Sequence, residues 1–140
     1  MKALSGDVFV GPQLLPQQVK TLSEHGIATL MNNRPDMEVP QQPSSDDISA
    51  QAAEHGLGYV YIPMAGGLTP TLIETIVEAY ENLPRPIYTF CASGTRSTAL
   101  WCFAHVKTLG VDGVLDSAAQ SGYHLEQIRD ALADFAERGN

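Results

Sequence analysis

The stretch RPIYTFCASGTRSTALW, residues 85–101, runs through three kinds of sequence in succession. RPIYTF (85–90) is rich in aromatic and β-branched side chains after Arg85 and Pro86, the composition of a buried strand. CASGTR (91–96) is small and polar, and Gly94 interrupts it, so neither a strand nor a helix period continues through it. STALWCFAHVKTLG (97–110) is apolar enough for a buried helix and ends on a glycine stop. Strand, tight loop and helix in this order form half of a βαβ unit. In a parallel sheet the loop leaving the C-terminal end of a strand faces the ligand crevice, which puts Cys91 where a site is expected.

Outward from this stretch the same alternation repeats. DVFVG (7–11) reads as a strand. Pro16 suits a first helical turn and Gly26 a stop, giving a short helix over about 15–25. IATLMN (27–32) is a second strand, and the polar, proline-punctuated NRPDMEVPQQP after it supports neither period and reads as a long loop. Ser44 or Ser45 caps a helix with Asp46 and Asp47 in its first turn, a sign that suits the helix dipole, and Gly56 stops it. LGYVYIP (57–63) is a third strand. In LTPTLIETIVEAYENL (68–83), Thr69 caps a helix with Pro70 in its first turn. RPIYTF is then the fourth strand. In HLEQIRDALADFAERG (124–139), Leu125, Ile128, Leu132 and Phe135 form the apolar stripe of an amphipathic helix. The pattern predicts an α/β sandwich with a central, mostly parallel sheet of four to five strands flanked by helices.

Composition narrows the function classes. The chain has 140 residues, 44% of them hydrophobic, which suits one domain over 1–140 with a core that needs no metal or disulfide. A net charge of −8 with only eight Lys and Arg argues against nucleic-acid or anionic-membrane partners, so any anion site must be local. No run approaches the ~20 apolar residues of a membrane span, and the opening residues lack a secretory apolar region. A cytoplasmic protein is expected. Cys91 and Cys102 match neither a CxxC redox motif nor a zinc pattern. His25 and His55 fall at helix ends with no carboxylate or thiol at ligand spacing, and His105 falls mid-helix, so no metal site is expected. Cys102, between Trp101 and Phe103, reads as core.

The loop itself carries chemistry. Bent into a cradle, residues 92–96 turn successive backbone N–H groups inward, and Gly94 can take the positive φ that other residues resist. The helix N-terminus near Arg96 adds its positive end. Both favour a thiolate at Cys91, the reactive form of the side chain. Arg96 supplies a planar, permanently charged fork for an oxyanion. Ser97 can donate to the thiolate or cap the helix, Thr95 can do either less surely, and Ala92 and Ser93 complete the loop.

At these residues two resemblances appear. CASGTRS resembles the Cys-x-x-Gly-x-Arg-Ser loop of single-domain rhodaneses, sulfurtransferases that carry sulfur as a cysteine persulfide. VFVGPQL, GIATLMNNRPDMEVPQQPS, AAEHGLGYVYIPM and PIYTFCASGTRSTALW, in that order over roughly residues 7–105, are similar to the bacterial beta-lactamase-hydrolase-like, phosphatase-like family. That family is described as having a dual-specificity-phosphatase-like fold and is also labelled a sulfur transferase family. The resemblance implies a cysteine-phosphatase-like sandwich with Cys91 as nucleophile.

Loop length and acid placement bear on which chemistry runs there. Cysteine phosphatases generally place five residues between Cys and Arg, whereas Ala92, Ser93, Gly94 and Thr95 make four. Such phosphatases also use an aspartic acid from another loop to protonate the leaving group. This chain has no Asp between Asp47 and Asp112, and PMAGGLTP, after the third strand, offers no acid. Position 90 is Phe, where phosphatases typically have His. Sulfur transfer needs no acid, because sulfite or a thiolate leaves as a stable anion. These features predict a sulfurtransferase that needs no cofactor. It would move sulfane sulfur from thiosulfate or a glutathione-type persulfide to a thiol or other acceptor through a Cys91 persulfide. The alternative is a phosphatase working through a Cys91 phosphocysteine, with Asp36 or Glu38 swinging in from the 33–43 loop as acid. Arg34 in that loop reads equally as a ligand for an anionic substrate or as a solvated charge.

Overall fold

The computed structural model describes residues 2–138. Residues 1, 139 and 140 of the 1–140 domain reading, and the last residue of the 124–139 tail pattern, lie outside them.

Five strands form one sheet: β1 (Lys2–Ser5), β2 (Val8–Gly11), β3 (Thr29–Asn32), β4 (Gly58–Tyr61) and β5 (Ile87–Phe90). Their order is β1-β2-β5-β3-β4, antiparallel only between β1 and β2 and parallel elsewhere. The helices are α1 (Val19–Glu24), preceded by a 3-10 turn at Pro16–Gln18, α2 (Ser45–Glu54), α3 (Pro70–Asn82), α4 (Thr95–Gln120) and α5 (Arg129–Glu137). The mostly parallel α/β sandwich expected from the pattern is the one observed.

Alternation along the strands divides the core. On β5, Ile87 faces one side with Val8, Val10 and Met31, where Ile76 and Tyr80 of α3, Leu100, Trp101 and Phe103 of α4, and Leu132 of α5 cover them. Tyr88 and Phe90 face the other side with Leu30, covered by Val19 and Leu22 of α1 and Ile48 and Ala52 of α2. All four residues of β3 and of β5 are buried, as two-sided coverage of a parallel sheet requires. The caps follow the sequence. Ser44 accepts from the Asp47 N–H and Thr69 from the Leu72 N–H, each satisfying an N–H that the first helical turn leaves unpaired.

Two elements depart from the sequence pattern. β1 is an added edge strand, paired to β2 across a tight Gly6–Asp7 connection. Gly110 ends the first helical segment of α4 as its sequence indicates, with the non-helical pair φ 81° and ψ 163°, and a second helical segment that the pattern did not predict follows to Gln120. That second segment buries Val114, Leu115 and Ala118 in the same core as Trp101, and this packing sustains it.

Candidate active site

Because β5 is the middle strand and runs parallel to β2 and β3, the C-terminal ends of β2, β3, β4 and β5 bring Gln13, Asn33, Arg34, Met64 and Cys91 to one edge of the sheet. Cys91 is 1% exposed, and its Sγ accepts the Gly94 N–H at 3.1 Å. Gly94 is the residue before α4 and has φ 101°, in the left-handed region where glycine pays no Cβ penalty. The sequence expectation for this glycine holds for that reason.

The cradle is fastened from two sides. On one, the Gln13 N–H donates to the Ala92 carbonyl at 3.2 Å. On the other, the Tyr123 hydroxyl donates to the Ser93 carbonyl at 2.9 Å. Ser93 and Thr95 pair through their hydroxyls at 3.0 Å. Ser97 differs from its expected roles. It lies inside α4, fully buried, and its hydroxyl donates to Asn33 Oδ1 at 2.8 Å rather than to the thiol or the helix end.

Arg96 reaches across the site to the loop after β3. Its guanidinium grips Glu38 with both ends, Nη1 to Oε2 at 2.7 Å and Nη2 to Oε1 at 2.9 Å, and Nη1 also donates to the Met64 carbonyl at 3.2 Å. This is the fork-to-fork geometry that guanidinium adopts on carboxylate or phosphate. Glu38 Oε1 also takes Arg34 Nε at 2.9 Å. Hydrogen bonds from Arg96 first and Arg34 second pull the Glu38 carboxyl down to about 2, so it stays ionised at any working pH. The hydrogen bond to Glu38 raises Arg96 above its usual range, and the neighbouring Cys91 adds to this.

Arg34 is no solvated charge. Its side chain is 10% exposed, braced by Gln13 Oε1 at 3.2 Å, and its backbone N–H donates to Asn32 Oδ1. Asp36 is engaged elsewhere: Oδ1 accepts the Ser45 N–H at the start of α2 and its own N–H donates to the Tyr61 hydroxyl. A carboxylate pinned between two arginines holds no proton to give, so Glu38 does not fit the general-acid role considered for it. The loop after β4 contributes the Met64 carbonyl and no acid, as its sequence indicated.

Three residues that hold the site were not singled out in the sequence: Gln13, Tyr123 and Asn33. Asn33 is fully buried. Its Oδ1 accepts both Thr89 Oγ1 at 2.7 Å and Ser97 Oγ at 2.8 Å, and its Nδ2 donates to the Ile62 carbonyl at 2.9 Å. One amide thus ties β5, α4 and the end of β4 together. The signal was there: two asparagines close β3 on its ligand side, where a chain selected only for packing would continue apolar. Cys102 is buried, and desolvation pushes its thiol up to about 12, which fits a packing role. No cluster of three or more potential metal ligands occurs among the described residues.

The chain is similar to proteins of one family. Residues 1–108 match the sequence family described as beta-lactamase hydrolase-like protein, phosphatase-like domain. A beta-lactamase hydrolase-like protein of Agrobacterium fabrum is 32% identical over 85 residues, which are 58% of this chain and 19% of that protein. The chain spans about a fifth of the length of the curated relatives it matches. A solved candidate phosphatase from Neisseria meningitidis superposes with a TM-score of 0.84 at 26% identity, over 96% of each chain. Another from Shewanella putrefaciens gives 0.76 at 14% identity over 98% of this chain and 91% of that one, a likeness of fold alone. The sandwich is a cysteine-phosphatase-like fold, as the resemblance implied.

Proposed function

The chain belongs to the family described as beta-lactamase hydrolase-like protein, phosphatase-like domain, and from that premise we propose that it is a Cys91-dependent phosphatase. The observation that carries the reading is the pairing of Cys91, at the C-terminal end of the central strand, with an Arg96 fork that already grips a carboxylate in two-point geometry. Cys91 Sγ attacks phosphorus, the S–P bond forms, and the P–O bond to the leaving group breaks with its electron pair on oxygen. Water then adds to phosphorus, the S–P pair returns to sulfur, and inorganic phosphate leaves. Arg96 and the N–H groups of the loop take up the charge that develops on the phosphoryl oxygens.

Neither acid considered for this reaction is free to serve it: Glu38 stays ionised, and Asp36 is bonded to the Ser45 N–H and the Tyr61 hydroxyl. Substrates whose leaving oxygen departs as a stabilised anion are therefore favoured, such as aryl phosphates over alkyl phosphates. The sequence alone ranked sulfur transfer first. The family and its phosphatase neighbours support the phosphoryl reading better, and the order is reversed here.

The four-residue spacing between Cys91 and Arg96 and the absence of a free acid keep sulfur transfer as the second reading. In it Cys91 attacks the outer sulfur of thiosulfate, the S–S bond forms as sulfite leaves with its electron pair, and an acceptor thiolate takes the sulfur. Parallel assays separate the two. The purified protein is expected to release phosphate from 4-nitrophenyl phosphate faster than from an alkyl phosphate, and Cys91→Ser to lose this by on the order of 10⁴-fold. Intact mass showing one added sulfur after thiosulfate, with no phosphate release from either ester, would establish the second reading instead.

A further inference from the structure

Glu38 sits where a bound anion would be expected, and the way it is held says what it replaces. Its two oxygens take both ends of the Arg96 fork, and Oε1 is shared with Arg34 Nε. Among the described residues, Arg34 is the one charged side chain that is buried. Gln13 Oε1 braces its side chain and its backbone N–H is fixed on Asn32 Oδ1, so the guanidinium is preset. A buried cation needs a counter-ion, and in the free protein Glu38 supplies it.

Apart from its ion pairs, the carboxylate is little confined by packing. Glu38 is 31% exposed at its side chain, and its neighbours Met37 and Val39 are 90% and 49% exposed, so little packing opposes a rotamer change. The backbone is what the loop holds: Gln42 Oε1 accepts the Glu38 N–H, Gln42 Nε2 donates to the Pro35 carbonyl, and Tyr61 and Ser45 anchor Asp36. Met37 takes φ 65°, an uncommon conformation for a side chain of its size, which this bonding sustains. Two arginines against one glutamate leave a surplus positive charge beside Cys91. If Glu38 swings out, two guanidinium groups are left facing the incoming substrate.

We propose that the Glu38 carboxylate is a displaceable stand-in for an anionic group of the substrate, and that Arg34 selects substrates carrying such a group in addition to the one that reacts at Cys91. The inference rests on Cys91 and Arg96 forming the reacting site. It names the substrate class further: a compact anion with a second carboxylate or phosphoryl group close to the reacting one. A fixed brace for Arg96 is the opposite assignment for Glu38, and the two differ in sign when the carboxylate is removed.

The test measures binding without turnover, on the Cys91→Ser protein, by calorimetric titration with methylphosphonate and with phosphonoacetate, which differ by one carboxylate. Phosphonoacetate is expected to bind more tightly. Glu38→Gln should tighten it by roughly tenfold, as expected when an internal competitor for charged hydrogen bonds is removed. Arg34→Gln should erase the preference between the probes, and Arg34→Lys, which keeps the charge and loses the fork, should reduce it. Weaker binding of both probes in Glu38→Gln would overturn the proposal in favour of a brace. So would a preference unchanged in both Arg34 variants, or no binding of either probe. Since no bond is made or broken, a protein that shows this pattern yet releases no phosphate refutes the phosphatase reading and leaves this one standing.

Discussion

Gly94 shows how much one residue of the cradle constrains. Its φ of 101° costs a residue with a Cβ about 1–2 kcal/mol, and a Cβ built there would overlap the Tyr123 hydroxyl that fastens the Ser93 carbonyl. Gly94→Ala is therefore expected to cost about 2–4 kcal/mol, the backbone term plus overpacking. The two parts separate in a double-mutant cycle followed by urea denaturation. In a Tyr123→Ala background the clash vanishes and only the backbone term remains, so an undiminished cost there would show that Tyr123 is not what opposes the methyl group. Gly94, Cys91 and Arg96 were legible in the sequence because their relation is local, fixed by spacing within six positions. Tyr123 and Gln13 were not. They reach the loop's carbonyls from 30 and about 80 positions away, Tyr123 through its hydroxyl and Gln13 through its main-chain N–H, and no local spacing marks either partner. Arg34 and Glu38 were legible as charges in a long loop, but the pairing of Glu38 with Arg96 spans 58 positions and exists only in the fold.

The elements are held in register at the site by Asn33, whose side chain joins the ends of β3, β4 and β5 to the first turn of α4. Thr89 and Ser97 are both fully buried, so Asn33→Ala strands two hydroxyls as well as the Ile62 carbonyl. Unsatisfied buried groups cost about 1–3 kcal/mol each, so the two hydroxyls alone give an expected loss of roughly 2–6 kcal/mol in urea denaturation. Adding Thr89→Val and Ser97→Ala to that variant removes the stranded hydroxyls and should recover part of the loss. No recovery would mean that the cost comes from a cavity instead. Element identity was readable wherever a local rule sufficed: Ser44 and Thr69 as caps, and the apolar runs of β3 and β5. It failed where the sheet decided. Lys2–Ser5 gains strand form by adding to the β2 edge, and the second helical segment after the Gly110 stop forms where Val114 and Ala118 are buried in one core with Leu132 of α5.

For the whole molecule, Glu38 and His105 set how stability depends on acidity, and both have the same sign. His105 stacks on Trp101 and meets Tyr80 edge-on, and burial holds its imidazole below the ordinary 6.5, with Arg85 pushing the same way against the Trp101 carbonyl and Asp7. The unfolded chain therefore takes that proton first, and stability present above pH 6.5 is lost as pH falls through the folded value. Glu38, drawn from 4.5 to about 2 by Arg96 and Arg34, acts likewise in a lower window: its contribution is complete above pH 4.5 and is lost as pH falls toward 2. Urea unfolding from pH 7.5 to 2.5 should then show two descending steps. His105→Gln should flatten the first and leave the second. Glu38→Gln should flatten the second, with a lower plateau above pH 4.5, because the two arginines lose their shared partner. If Glu38→Gln unfolds along the same curve as the wild type between pH 4.5 and 2.5, the clasp holds no free energy in solution. Glu38 would then be free to leave the arginines without cost, and displacing it would add nothing to the selection of an anion.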